Sequence, residues 1–114
     1  MPDSQSAESN PVRVQRGNIY LSRETCDTYF RDIQTVALIC REGQLLMLPL
    51  ISASGGGLLL KIRNSRGDRV VHAQEFLRER GLAEDFAEYV LTVRWLSEQA
   101  ALQLEGLPLS GAAV

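Results

Sequence analysis

The sequence predicts an α+β fold: a small antiparallel β-hairpin sheet or barrel with short helices and a longer C-terminal helix. Three observations predict it. Short apolar runs separated by Gly-containing turns occupy most of the region from Val12 to His72. A stretch with 3.6-residue spacing follows Ser22, and after Ala73 the apolar pattern returns to helical spacing. At 114 residues and 45% hydrophobic content the chain suits one domain around one core. Residues 1–10 read as a disordered tail, 11–105 as a single α+β domain and 106–114 as a loose C-terminal tail.

The elements follow in order. Val12 to Gln15 and Ile19 to Leu21 are expected strands around Arg16-Gly17-Asn18, where Gly and Asn are expected to supply the positive φ of a tight hairpin. Ser22 then stands as an N-cap. Cys26, Tyr29, Phe30 and Ile33 fall on one face of a helix expected from about Arg23 to Arg31. Thr35 to Cys40 and Gln44 to Ile51 form the next hairpin through Glu42-Gly43, with Pro49 placing the second strand at an edge or ending it. Ser52 to Gly57 reads as a flexible linker. Leu58 to Arg63 is a strand with Leu58, Leu60 and Ile62 on one side, turning through Asn64 to Asp68 into Arg69 to His72.

A short helix is expected to end at Arg80 with Gly81 as its C′ residue. From Glu84 to Leu104 the pattern predicts the long helix, opened by the acids Glu84, Asp85 and Glu88. Its apolar surface is wide: Phe86, Tyr89, Val90, Val93, Leu96 and Ala100 make one stripe, and Leu91, Trp95 and Leu102 widen it. Such a helix requires cover on more than one side, so a homo-oligomer, a homodimer in its simplest form, is expected with Phe86, Val90, Val93 and Leu96 at the interface.

The chain carries no basic start followed by an apolar run and no segment near the roughly 20 apolar residues of a membrane helix. The expectation is a soluble, cytoplasmic protein with no membrane partner. Cys26 and Cys40 sit in apolar patterns and read as free, buried thiols. Net charge is −2, but unevenly spread: residues 11–72 carry nine basic groups against five acids, and residues 73–114 carry three against seven. The asymmetry fits an anionic partner or docking between the two parts.

The chain also echoes itself. Arg16-Gly17-Asn18-Ile19-Tyr20-Leu21 leads into Ser22-Arg23-Glu24, and Arg66-Gly67-Asp68-Arg69-Val70-Val71 leads into His72-Ala73-Gln74-Glu75, about fifty residues later with one inserted residue. Both read as a Gly turn, a strand and a helix, a pattern that common turn chemistry also produces. The first copy, with Gly17, Ile19 to Leu21, Ser22 to Phe30 and the hairpin through Glu42-Gly43, resembles the swapped-hairpin barrels of the AbrB and MraZ type. The likeness covers about a third of the chain. It lacks the family's helix-entry Pro, for which this chain has Ser22-Arg23, and the second copy is expected to run into the long helix rather than another hairpin. The resemblance implies a DNA-reading dimer.

Lys61, Arg63, Arg66 and Arg69 cluster within nine residues, and a basic β-ribbon can present guanidinium groups to phosphates. Arg13, Arg16 and Arg23 are a second candidate set. Against nucleic acid stand the low pI of about 5.4 and the absence of an aromatic within the cluster. A solvated or partner-facing strand is the simpler reading. Arg66-Gly67-Asp68 also spells an adhesion tripeptide, which reads here as turn chemistry.

No catalytic, cofactor or metal site is expected. Ser52 to Gly57 leads into a strand without Gly-Lys-Ser/Thr, unlike a P-loop. Two Cys and His72 fall short of a closed zinc site. His72 reads as a capping or surface residue, because no motif joins it to Ser22, Cys26, Asp27 or Glu75 as nucleophile or orienting acid. Two functions remain: a noncatalytic accessory module that binds another protein, and, as the alternative, a small DNA-binding transcriptional regulator.

Overall fold

A computed structural model describes residues 12–51, 56–82 and 87–109. The elements are β1 (Val12–Gln15), β2 (Asn18–Leu21), α1 (Arg23–Tyr29), β3 (Thr35–Arg41), β4 (Gln44–Leu50), β5 (Leu58–Leu59), β6 (Lys61–Ile62), β7 (Arg69–His72), α2 (Gln74–Glu79), β8 (Glu88–Leu96) and β9 (Ala101–Glu105). The N-terminal tail, most of the expected linker (residues 52–55), Glu84, Asp85, Phe86 and residues 110–114 lie outside the described residues.

All pairings are antiparallel, in the order β5-β3-β4-β9-β8-β1-β2-β7-β6. β5 pairs with β3 and β6 with β7, and only Leu60 separates β5 from β6 in the chain. One short run of backbone thus joins the two ends of the sheet into a nearly closed barrel. Leu60 is buried at the seam, and its N–H donates to the Gln34 carbonyl at 2.8 Å. Among the described residues the fold is mostly β with two short helices, not α+β.

Local chemistry explains the elements. The first two hairpins turn on residue pairs in the left-handed region, Arg16 (φ 57°) with Gly17 (φ 80°), and Glu42 (φ 55°) with Gly43 (φ 80°). Successive positive φ values match the twist of antiparallel strands. The first turn therefore sits on Arg16-Gly17, and Asn18 belongs to β2 instead. The Ser22 hydroxyl oxygen accepts the Thr25 N–H at 3.1 Å, capping α1 as expected. α2 ends at Glu79, and Gly81 (φ 90°) reverses the chain after it. Pro49 pairs with Val36 of β3, while β9 reaches only Leu45–Met47, so Pro49 lies past the stretch where β4 has two neighbours.

In place of the long C-terminal helix, the described part of that segment forms the β8–β9 hairpin, in which Val93 pairs with Leu104 and Trp95 with Leu102. Tyr89, Val90, Thr92, Val93 and Trp95 are β-branched or aromatic and favour a pleated surface. The apolar excess that looked like a wide helical stripe is the alternation of Tyr89, Leu91, Val93 and Trp95 overlaid with Val90 and Leu96. The chain reverses through residues 97–100, with Ala100 at φ 50° and no Gly or Asn to announce it. The stripe thus divides between the two faces of a strand: Val90 is 53% exposed, whereas Val93 and Trp95 pack on the core. Without that helix, no partner subunit is required to cover it.

Val14, Ile19, Val36, Met47, Leu91 and Leu102 fill the barrel, and Cys26 of α1 and Leu77 of α2 join the same cluster. Leu107 and Leu109 pack against it from beyond β9.

The two halves repeat one plan. β1-β2-α1-β3-β4 is matched by β5/β6-β7-α2-β8-β9: a hairpin, a short helix, then a second hairpin. The second copy is therefore followed by a hairpin after all. The pairings respect a two-fold relation, because β1 pairs with β2 and β8 as β6 pairs with β7 and β5 with β3, while β2 pairs with β7 and β4 with β9 across the middle. The Gly17 and Gly67 turns occupy equivalent places in this plan.

Candidate binding face

Residues directly opposite one another in antiparallel strands point to the same side of the sheet. The pairings Val90–Arg13, Arg13–Tyr20, Tyr20–Val70 and Val70–Lys61 therefore form one row across β8, β1, β2, β7 and β6. The neighbouring row, Val14, Ile19 and Val71, belongs to the core cluster, whereas Val70 of the first row is covered, at 7% exposure, without joining it, so the first row lies on the outer face. Equivalent positions in the two halves place Arg13 and Lys61 at corresponding sites, with Tyr20 and Val70 between them.

The ring of Tyr20 organises this face. The Arg13 guanidinium carbon lies 4.5 Å from its centroid and that of Arg63 4.7 Å, both in cation–π range. The Asn18 side-chain amide donates to the Tyr20 hydroxyl at 3.3 Å. Asn18 Oδ1 in turn accepts from Gln74 Nε2 at 2.8 Å and lies 2.9 Å from His72 Nδ1, which therefore carries the proton. His72 is tied into a positioning network.

Arg13 pairs with Glu88 at 3.0 Å. Arg66 pairs with Asp68 at 3.2 Å, where Arg66 is 77% exposed and Asp68 only 18%. Asp68 also accepts from the Asn64 side-chain amide at 3.0 Å and from the Arg23 backbone N–H at 2.9 Å. Led by the Asn64 hydrogen bond, these contacts hold its carboxyl below the usual range. Asn64 Oδ1 accepts from the N–H groups of Arg66 and Asp68, each at 3.1 Å, so one Asn folds the loop that carries Arg66. Lys61 and Arg63 form no ion pair among the described residues. Arg13, Tyr20, Leu21, Ser22, Arg63, Arg66 and Asp68 surround a recess of about 170 Å³, so one carboxylate stands among its three arginines.

The sequence clusters are thus redistributed. Arg63 and Arg66 meet Arg13 from the second candidate set around Tyr20, and Lys61 shares the face. Arg69 does not: it pairs with Ile62 and Leu21 in the opposite row, beside Asp27 and Asp32, and donates to the Gly67 carbonyl. Arg23 lies along the Gly67 turn and pairs with Asp27 at 3.4 Å. Arg16 sits in the β1–β2 turn. Tyr20, forty-odd residues before the basic hairpin, is the aromatic that local inspection missed. The signal was its register: a hairpin at Arg16-Gly17 places Arg13 opposite it.

The remaining candidates lie elsewhere. Val93 and Leu96 are half-buried in β8, on opposite sides of the strand. Cys26 is buried, and burial pushes its thiol up to about 11, while Cys40 is half-buried and also free. A second groove of about 590 Å³ runs between α2 and β3, with Val36, Leu38, Leu58 and Phe76 on its apolar side and His72, Glu75 and Glu79 on its polar side. At the corresponding place beside α1, Tyr29 stacks on Trp95 at 5.5 Å between centroids. Among the described residues no group of His, Cys, Asp and Glu is arranged to hold a metal ion, and no helix is long and apolar enough to cross a membrane. No family model, curated protein or solved structure matches the chain.

Proposed function

We propose that this chain is a noncatalytic binding module whose outer β8-β1-β2-β7-β6 face docks on an acidic surface of a partner protein. The observation that carries the reading is the Arg13–Tyr20–Arg63 stack. It gathers cations from two separate hairpins around one ring and leaves Arg63 and Lys61 without carboxylate partners among the described residues. Aromatic and Arg side chains are enriched among the groups that anchor protein interfaces, and stacking on Tyr20 already orders both guanidinium groups.

A second reading, a small DNA-binding regulator, draws on the repeated hairpin-helix-hairpin plan and the resemblance to swapped-hairpin barrels. Magnitude ranks it second. Tight duplex binders neutralise on the order of six to ten phosphates. This face presents Arg13, Lys61, Arg63 and Arg66, and two of these already hold Glu88 and Asp68.

Affinity capture from the native host, with the wild-type chain and an Arg13→Glu, Arg63→Glu variant side by side, tests the proposal. A protein retained by the first and lost from the second is expected. Duplex DNA retained in its place, with submicromolar affinity at moderate salt that disappears in an Arg63→Ala, Arg66→Ala variant, overturns it in favour of the regulator.

A further inference from the structure

The recess beside Tyr20 has a more specific chemistry than a general basic face. We infer that it is a seat for one phosphate monoester group presented by the partner. This rests on the reading of the face as the docking surface and adds the chemical group recognised there.

Three arginines border the recess, Arg13 on β1, Arg63 after β6 and Arg66 in the loop before β7, against one carboxylate, Asp68, which Arg66 already engages at 3.2 Å. They come from two hairpins, and Arg13 and Arg63 share the Tyr20 ring. Arg13 lies on Tyr20 and reaches Glu88 at 3.0 Å. Arg63 lies on the same ring, and its backbone N–H donates to the Asp68 carbonyl at 2.8 Å. Arg66 is held over Asp68 by the Asn64 turn. Ser22, whose hydroxyl oxygen caps α1, adds a polar wall.

The size and valence of the site define its ligand. A half-open space of about 170 Å³ accepts one tetrahedral oxyanion with its nearest waters and leaves the rest of a larger ligand in solvent. Arg13 and Arg66 each have a carboxylate to one side, so an incoming group must compete with a planar monoanion at both. A carboxylate ligand would only exchange like for like. A phosphate monoester brings close to two charges and three acceptor oxygens, enough to engage Arg63 and the free N–H groups of both paired arginines together. A phosphodiester carries a single charge and lacks that advantage.

Titration of the full chain with inorganic phosphate, followed by amide and Arg side-chain NMR shifts at constant ionic strength, tests this. Saturable shifts confined to Arg13, Tyr20, Ser22, Arg63 and Arg66 are expected, strengthening from pH 5.5 to 7.5 as the second phosphate proton leaves. Acetate and dimethyl phosphate should bind at least about tenfold more weakly, and phosphoserine should reproduce the phosphate shifts where serine does not. Arg63→Gln should weaken phosphate about tenfold and Arg63→Lys less, because a lysine keeps the charge but loses the planar fork. Arg41→Gln, at the β3–β4 turn, should change nothing.

Shifts that never saturate, or that spread equally over Arg41 and Arg94, overturn the site. Dimethyl phosphate binding as well as inorganic phosphate overturns the monoester assignment and points to a nucleic-acid backbone. A captured acidic protein lost on reversing Arg13 and Arg63, with no saturable phosphate shift, sinks this inference and leaves the docking face standing. Saturable phosphate binding without a captured protein does the reverse.

Discussion

Asp68 Oδ1 accepts the backbone N–H of Arg23 at 2.9 Å across 45 residues of sequence, fastening the turn of the second half to the start of the first half's helix. The converse contact is also present: the Gly17 carbonyl in the first turn accepts the Ala73 N–H at 2.9 Å, at the start of α2. Each half thus anchors the helix of the other.

Removing the Asp68 carboxylate should loosen this latch. Asp68→Ala is expected to cost about 1–2 kcal/mol, the range for losing a cap-like bond to a backbone N–H together with its loop bonds. The exposed Arg66 adds little to that figure. Because the folded carboxyl titrates below its ordinary range, its contribution is fully present above the unfolded value and is lost as pH falls through the folded one. Urea unfolding at pH 7 and at pH 3 should therefore show a smaller gap between wild type and variant in acid. A constant gap would mean that Asp68 acts through packing alone.

Gly17 faces the other latch. A Cβ there would lie 2.6 Å from Gln74 Cγ and 2.9 Å from Gln74 Cα, at a φ of +80° that disfavours any side chain. Gly17→Ala should destabilise by more than about 2 kcal/mol. Gly56→Ala meets nothing within 4 Å and carries only its φ of +92°, so it should cost less. Thermal melts of the two variants give the comparison, and equal losses would show that Gln74 yields freely.

Val90 and Val93 separate strand from helix. On a helix the two share a face. In β8, Val90 is 53% exposed on the outside and Val93 packs on the core opposite Leu104. Val90→Asp should leave stability within about 0.5 kcal/mol, whereas Val93→Asp, which puts a charge against the core, should cost about 3 kcal/mol or prevent folding. Similar effects at both positions would contradict the hairpin.

These contrasts show what was legible in the residues. Hairpins with Gly-bearing turns at Gly17 and Gly43, the Ser22 cap and the Gly81 stop all carry local chemistry, and each appears where that chemistry puts it. The β8–β9 hairpin lacked such a marker: its turn uses Ala100 at positive φ, and Val90 and Leu96 blurred the alternation enough to mimic a helix. A stripe too wide for one helical face was the contrary signal, since an apolar excess of that kind also describes a strand with one face on a core. The binding face was half legible. Its cations were visible as two separate clusters, but their convergence depends on β2 pairing with β7, a contact between residues some fifty positions apart.

That pairing also decides the last prediction, which sets Arg63 against Arg69. In sequence the two belong to one basic cluster. In the barrel Arg63 lies over Tyr20 on the outer face, while Arg69 is paired with Ile62 in the opposite row, among Asp27 and Asp32. If the outer face docks an anionic partner, Arg63→Glu should abolish capture and flatten the salt dependence of whatever affinity remains, because one partner contact is lost and a repulsive one gained. Arg69→Gln should leave binding within about twofold, its cost falling on stability through the lost bond to the Gly67 carbonyl. Measuring capture and melting temperature for both variants separates the two roles. Loss of binding on substituting Arg69 in a chain that still melts like wild type would move the docking surface to the seam beside β6 and overturn the assignment of the outer face.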